Sequence, residues 1–488
     1  MARANLKSLL FWELLGFFLL ATLPRLWRLP ADLQITYDQG LHSLDVWKIW
    51  HDGHISLLGH PTDVPGIFHG PIYYWLMLPF YVLGRGNPAV VALWQALTHS
   101  FSVILVYMLA WRLFNRQTAR ISAFIFAVSF GFISFARWLN NVNPVIPFSL
   151  LFFLSLEKSR KNPAFWFPFS ALVCSLIIQF NGAIGVFLLP VLLLSAFIRP
   201  TPKLLSALAF FLPHLPLVVF DLRHNFLVTK SILNYSLAGS SGVGIGFSHI
   251  AYDLSVLVNQ VTSVLVWPFA ALSLVLILFT FLQIYRHIKK PSLRRILFWT
   301  AAPILSLFLY KRGAIGFFYW STLPLILILI SFAFSALKRP LLYLVLLIIA
   351  VVNIYQWQNF VSPNFALTPI GTRNLLTQDD RVTAIDWIYK KAAGRPIYLW
   401  TYTIPYLLDH PWRYYFIWYG KSKYGYLPES FGGASRNDLP KNAVFFALFE
   451  PNVDRPANLI DWKSRLSSEF PELISDFRSH DAIVEFRQ

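Results

Sequence analysis

Cysteine and charge are what this chain of 488 residues lacks. Its single cysteine, Cys174, lies inside an apolar run, so neither a disulfide framework nor a cysteine metal site can be built. Charged residues make up 13%, against roughly 25% in ordinary soluble domains, while 56% are hydrophobic. That excludes a single soluble globule, a disordered chain and a collagen-like one. Acids are scarcest, with 23 Asp and Glu against 41 Lys and Arg, a net charge of +18.

What is present is a series of apolar runs between basic clusters, with a mean hydropathy of +0.54. The pattern predicts a polytopic α-helical membrane protein. The charge divides unevenly. Residues 356–488 hold 15 basic and 14 acidic side chains, whereas residues 1–355 hold 26 basic and 9 acidic. The excess therefore belongs to membrane loops. A nearly neutral polar tail offers no basic patch, so nucleic acid is not expected as a partner.

Leu9 to Leu23 follows Arg3 and Lys7 and is followed by Pro24, Arg25 and Arg28, not by a small-residue cleavage site. It reads as a retained first helix with a cytoplasmic N-terminus. Ten further spans are expected at 89–111, 119–136, 143–156, 164–178, 183–198, 204–220, 264–284, 296–310, 315–335 and 340–355. With one or two hidden spans the count could reach thirteen. Eleven spans put 17 of the 26 basic residues of 1–355 on the cytoplasmic side and the tail outside, as the positive-inside bias requires. Gly70 to Gly84 is apolar but short, with Pro79 inside, and is expected to dip into or lie along the outer leaflet.

The expected organisation is a transmembrane domain over 1–355 and a small extracytoplasmic α/β domain over 356–488. In the tail, Asp379 to Lys391 has helical periodicity, and Ile397 to Thr403, Ala443 to Phe449 and Ile483 to Phe486 read as strands. It contains no internal repeat, Walker loop or dinucleotide fingerprint.

Five of the nine acids of residues 1–355, namely Asp32, Asp38, Asp45, Asp52 and Asp63, fall in the first outer loop, residues 30–69, with five of the twelve histidines. Spacing by seven places Asp38, Asp45 and Asp52 on one helix face with His42 beside them. Trp47, Ile49 and Trp50 suggest that this helix lies on the membrane surface. A carboxylate there could accept a proton from an incoming hydroxyl. Asp38 could equally cap the helix, and a His and Asp metal site is a further possibility.

From the first helix onward the motifs line up with a known family. Tyr37-Asp38-Gln39-Gly40 in the first outer loop is followed by Phe68-His69-Gly70-Pro71-Ile72-Tyr73-Tyr74-Trp75. Arg112-Leu113-Phe114 before Thr118-Ala119-Arg120, Ala136-Arg137-Trp138-Leu139-Asn140 with Asn143-Pro144, and Phe318-Tyr319 with Leu323-Pro324 come next. In order and spacing, most of residues 8–335 resembles the family 39 glycosyltransferases. These are GT-C fold enzymes related to protein O-mannosyltransferases and to the aminoarabinose transferase of lipid A.

The resemblance implies a glycosyltransferase of the cytoplasmic membrane that takes its sugar from a polyprenyl-phosphate donor and passes it, with inversion, to an extracytoplasmic acceptor. Asp38 takes the place of the family's catalytic acid/base. Gln39 replaces the second acid of the usual Asp-Glu pair, and His69-Gly70-Pro71 departs from the usual acidic or Lys-Pro position, which points to a divergent branch. Arg137, Lys311 and Arg312 are the cations expected to hold the donor phosphate, where a guanidinium would stabilise the leaving group. Lys311 and Arg312 could instead mark a helix end.

His69, Tyr73, Asn140 and Asn143 are further candidate substrate contacts. The asparagines could also cap a turn, and the tyrosine could belong to an interfacial aromatic belt. No cofactor is required by these residues, and a divalent cation is left open. A lipid-linked saccharide flippase, or a noncatalytic polysaccharide-assembly subunit, is the alternative. A flippase should carry ionisable groups within its spans, where Glu13 is the exception among scarce acids.

Overall fold

The computed structural model describes residues 2–237, 246–310, 313–359, 376–405, 408–433, 435–452, 455–479 and 482–488. Lys311 and Arg312 fall outside these residues.

All the expected spans fall on helices. The chain opens with α1 (Ala2–Leu26) and a one-turn α2 (Leu29–Asp32), then α3 (Tyr37–Asp52) and α4 (Ile72–Leu83). The bundle continues through α5 (Pro88–Leu113), α6 (Arg116–Val128), α7 (Phe130–Arg137), α8 (Val145–Ser159), α9 (Pro163–Phe180) and α10 (Gly182–Ile198). There follow α11 (Lys203–Phe211), α12 (Leu215–Arg223), α13 (Leu227–Leu237), α14 (Phe247–Leu265), α15 (Ala270–His287), α16 (Pro291–Phe308), α17 (Leu323–Phe334) and α18 (Arg339–Asn359).

By length and composition, six stretches among the described residues can cross a bilayer alone: Ser8–Leu26, Pro88–Leu113, Pro163–Phe180, Lys203–Arg223, Ala270–His287 and Arg339–Trp357. Helices α6 and α7 make a seventh if their 56° bend is one broken span. The other expected spans, on α8, α10, α16 and α17, are shorter or carry charge. The break between α6 and α7 falls at Ser129, whose hydroxyl accepts from Phe132 N at 3.5 Å and caps the second helix. The expected 264–284 span begins inside α14 and continues in α15, because Pro268 interrupts the helix.

Two buried arginines tie the bundle together. Arg25 donates to the carbonyls of Phe126 (3.0 Å) and Ala127 (3.1 Å) at the end of α6. Arg137 donates to those of Pro24 (3.3 Å), Arg25 (3.4 Å) and Trp27 (2.7 Å) at the end of α1, and lies 3.4 Å from Asp32. Helix C-termini carry unpaired carbonyls, so each guanidinium satisfies the end of a neighbouring helix. Midway along α1, Glu13 pairs with Arg116 and with Arg120 (2.7 Å).

The C-terminal part adds α19 (Gln378–Ala392), α20 (His410–Tyr415), α21 (Lys421–Tyr424), α22 (Pro456–Glu469) and four strands: β1 (Ile397–Tyr402), β2 (Val444–Phe449), β3 (Leu473–Ser479) and β4 (Ala482–Arg487). The sheet order is β1-β2-β4-β3, with β1 parallel to β2 and the other pairs antiparallel. Trp387 of α19 stacks on Phe477 and meets Phe446, while Trp462 of α22 packs against Tyr402 and Phe449, so the sheet is covered on both faces. Strand β3, which the sequence pattern does not signal, is an edge strand with mostly exposed side chains.

This sheet domain is fastened to the segment that follows α1. Gln378 N donates to Leu33 O at 2.8 Å, and Gln34 and Thr377 form an antiparallel bridge. The start of α20 lies directly on Gly40 of α3, where a Cβ would come within 2.4 Å of Pro411 N. Helix α3 is thus clamped between α4 and α20, with Val46 and Ile49 buried.

Candidate active site

The site starts at the N-terminus of α3. Thr36 is the N-cap, and the Gln39 side chain accepts from Thr36 N at 2.8 Å to complete a capping box. Asp38 is therefore not the cap. It sits at the second helical position, where the free amides of the first turn favour a negative charge. Its carboxylate is left for another partner, and Asp38 Oδ1 lies 3.2 Å from His60 Nε2. Both side chains are partly open, 28% and 20% exposed.

His60 is delivered by a small hairpin. Gly59 N donates to His69 O and His69 N to His60 O, each at 2.9 Å, and Pro61 bridges Phe68. Gly59 permits the close approach of the two arms, since a Cβ there would fall 2.3 Å from Gly70 O. The hairpin is tied to the bundle by Gly70 N donating to Gln179 O at 3.0 Å and by Gly182 N donating to His69 Nδ1 at 3.3 Å.

One turn after Asp38, buried His42 sits between the hairpin and α4. Its ring is 5.0 Å from that of His60 and its Nδ1 is 3.3 Å from Tyr74 OH. Tyr74 OH in turn donates to Asp45 Oδ2 at 3.1 Å. Burial, then the nearby His60 and His69, push the His42 imidazole well below its usual range, so it is held neutral. Burial and His60 likewise push His69 down to about 4. Burial raises the Asp45 carboxyl, opposed by the Tyr74 hydrogen bond and by Lys48, His60 and His410. Burial and the carboxylates of Asp38 and Asp63 push the Tyr37 phenol up to about 12, so it remains a donor. His410, at the start of α20, feels both Asp45 and Asp38. The C-terminal domain thus contributes a group to the rim.

The structure brings Asp38, His69 and Tyr73 together around His42, with Tyr73 5.4 Å from the His42 ring and its hydroxyl accepting from Gln95 at 3.3 Å. It puts the other candidates to different uses. Arg137 is 5% exposed and committed to the end of α1 and to Asp32, a scaffold position and not an open phosphate ligand. Asn143 donates to the carbonyls of Phe135, Ala136 and Trp138 and closes α7, while Asn140 Oδ1 accepts from Val142 N at 3.1 Å. Both are buried and serve the turn.

Sequence reasoning did not single out His60 or His410 as site residues, and it noted Asp45 only as a member of the acidic face spaced by seven from Asp38. Among the described residues no group of three or more His, Cys, Asp or Glu side chains is arranged to hold a metal ion.

Comparison with solved structures decides the fold. ArnT of Cupriavidus metallidurans bound to undecaprenyl phosphate superposes with a TM-score of 0.61 at 12% identity, covering 100% of this chain and 98% of that one. The apo state of the same protein gives 0.62. This chain has the GT-C glycosyltransferase fold.

The apo oligosaccharyltransferase of Archaeoglobus fulgidus, with a TM-score of 0.50 and 12% identity, covers 90% of this GT-C chain and 70% of its own. Residues 68–222 match the family model described as dolichyl-phosphate-mannose-protein mannosyltransferase. That stretch contains His69 and Tyr73 but not Asp38. An uncharacterized protein of Aquifex aeolicus is 31% identical over 125 residues, about a quarter of each chain's length.

Proposed function

We propose that this GT-C protein is a membrane glycosyltransferase that moves one sugar from a polyprenyl-phosphate donor to a hydroxyl on an extracytoplasmic glycan, lipid or protein. The observation that carries the reading is the Asp38 and His60 pair, partly open and 3.2 Å apart, at the start of a helix covered by the C-terminal domain. The fold shared with ArnT, which binds undecaprenyl phosphate, supports a lipid-phosphate donor.

In the proposed reaction the acceptor oxygen attacks the anomeric carbon as the bond from that carbon to the phosphate oxygen breaks. Asp38, oriented by His60, takes the hydroxyl proton. The polyprenyl phosphate leaves as the anion, and attack from the opposite face inverts the configuration. Tyr73 and His69 line the sugar side. Lys311 and Arg312 lie outside the described residues and keep only their sequence-based assignment to the phosphate. On the positive-inside reading, the N-terminus is cytoplasmic and the C-terminal domain, which would help bind the acceptor, is outside.

The test uses purified protein in detergent, a radiolabelled polyprenyl-phosphate sugar and a crude envelope acceptor. Wild type should transfer label and Asp38→Ala should not. Equal transfer by the two proteins sinks the mechanism, and movement of intact donor across a vesicle without transfer would favour a flippase.

A further inference from the structure

A cluster of basic side chains lies at the other end of the bundle. Helix α10 begins at Gly182, whose N–H points at His69, and runs 17 residues to Ile198. At 1.5 Å per residue its far end is roughly 25 Å from the site. There, α10 and α16 enclose a cavity of about 200 Å³ whose lining includes Ile198, Arg199, Arg294, Arg295, Phe298 and Trp299.

One carboxylate answers these cations. Glu157, in the last turn of α8, lies 3.2 Å from Arg295 and 3.9 Å from Arg160, and also faces Arg199 and Arg112 electrostatically. The charge is unbalanced by several units. The hydrogen bonding is incomplete as well, because Arg199 Nη1 and Arg295 Nε are buried without a partner. A buried unpaired donor is unfavourable, more so when charged, so both guanidiniums are short of an acceptor. The remaining walls, Ile198, Phe298 and Trp299, are apolar, and Phe197 and Ile198 beside them are largely exposed. A cavity that is basic on one side and greasy on the other matches a phosphate carried on an acyl glycerol.

We propose that this cavity is a phosphate-binding site, separate from the Asp38 centre and independent of its assignment, filled by the headgroup phosphate of an anionic phospholipid. The guanidiniums of Arg199, Arg294 and Arg295 that line the cavity bind the phosphate oxygens, and Phe298 and Trp299 cover the first carbons of the chains. On the positive-inside reading this is the cytoplasmic leaflet, where anionic headgroups meet basic pockets between helices.

The test is retention of lipid by the full-length protein in detergent, read by native mass spectrometry. Phosphatidylglycerol and phosphatidylcholine are supplied in turn, and inorganic phosphate is titrated as a separate arm. Wild type should retain phosphatidylglycerol at least tenfold better than phosphatidylcholine, and the Arg199→Gln/Arg295→Gln double variant should lose that preference. Glu157→Gln removes the competing carboxylate and should tighten retention several-fold, a gain that a misfolded protein cannot give.

Displacement of the lipid by millimolar inorganic phosphate supports the phosphate chemistry and shows that a soluble ion can also supply it. Equal retention of the two lipids with no response to phosphate overturns the proposal. So does a preference that survives in the double variant.

Discussion

Asp38 Oδ1 and His60 Nε2 stand 3.2 Å apart although 22 positions separate them in the chain. The capping box of Thr36 and Gln39 frees Asp38 from capping, and the hairpin closed between Gly59 and Gly70 carries His60 to it. If His60 orients the acid/base, His60→Ala should lower sugar transfer roughly tenfold while Asp38→Asn lowers it ~10²-fold or more. The double variant should be no worse than Asp38→Asn alone. Initial rates with labelled donor check this, and strictly multiplicative losses would show that the two side chains act separately.

The capping box makes a separate prediction about stability. Thr36→Ala removes the cap and should cost about 0.5–2 kcal/mol, seen as a lower melting temperature in detergent. Gln39→Glu keeps the reciprocal bond to Thr36 and should leave the melting temperature within about 2 °C of wild type, since Glu is equally suited to that position.

Gly40 is where α20 presses on α3. In Gly40→Ala the new Cβ meets backbone atoms of His410 and Pro411 at 2.4–2.8 Å, which cannot be relieved by turning a side chain. The expected cost is about 1–3 kcal/mol. Faster limited proteolysis of the C-terminal domain than of the bundle would show that the clamp has opened.

Arg137 separates a scaffold role from a phosphate role. Arg137→Ala strips donors from three carbonyls of α1 and leaves Asp32 without this partner, which should destabilise the protein by about 3–5 kcal/mol. In Arg137→Lys, whatever folded protein remains should keep the wild-type KM for donor. A raised KM at unchanged stability would instead assign Arg137 to the phosphate.

Acid should loosen the site. His42 and His69 have imidazoles held below their unfolded value near 6.5, so between those values the unfolded chain binds more protons than the folded one. Their contribution is fully present above pH ~6.5 and is lost as pH falls toward 4, by up to ~1.4 kcal/mol per pH unit for each ring. Melting temperature measured from pH 7.5 to 5 should fall, and His69→Asn should flatten the slope.

Much of this protein was written in composition and period. Apolar runs between basic clusters yield helices because a backbone in hydrocarbon must satisfy its own hydrogen bonds. Strands β1, β2 and β4 follow from β-branched and aromatic runs. The polar edge strand β3 carries no such signal, since its side chains face outward. The clustering of acids and histidines drew attention to residues 30–69, and the family resemblance singled out Asp38 among them.

What tertiary structure alone decided is how each polar group is used. Arg137, Asn140 and Asn143 sit in motifs that suggest substrate contact, yet helix ends bring unpaired carbonyls and amides against them, and those take up the side chains. His60 and His410 carry no local signal. They reach the Asp38 region only because a hairpin folds back and a domain more than 350 residues away in sequence closes over α3. Local pattern reports burial and period, but the pairing of two polar groups depends on distances across the fold, which no single stretch of sequence contains.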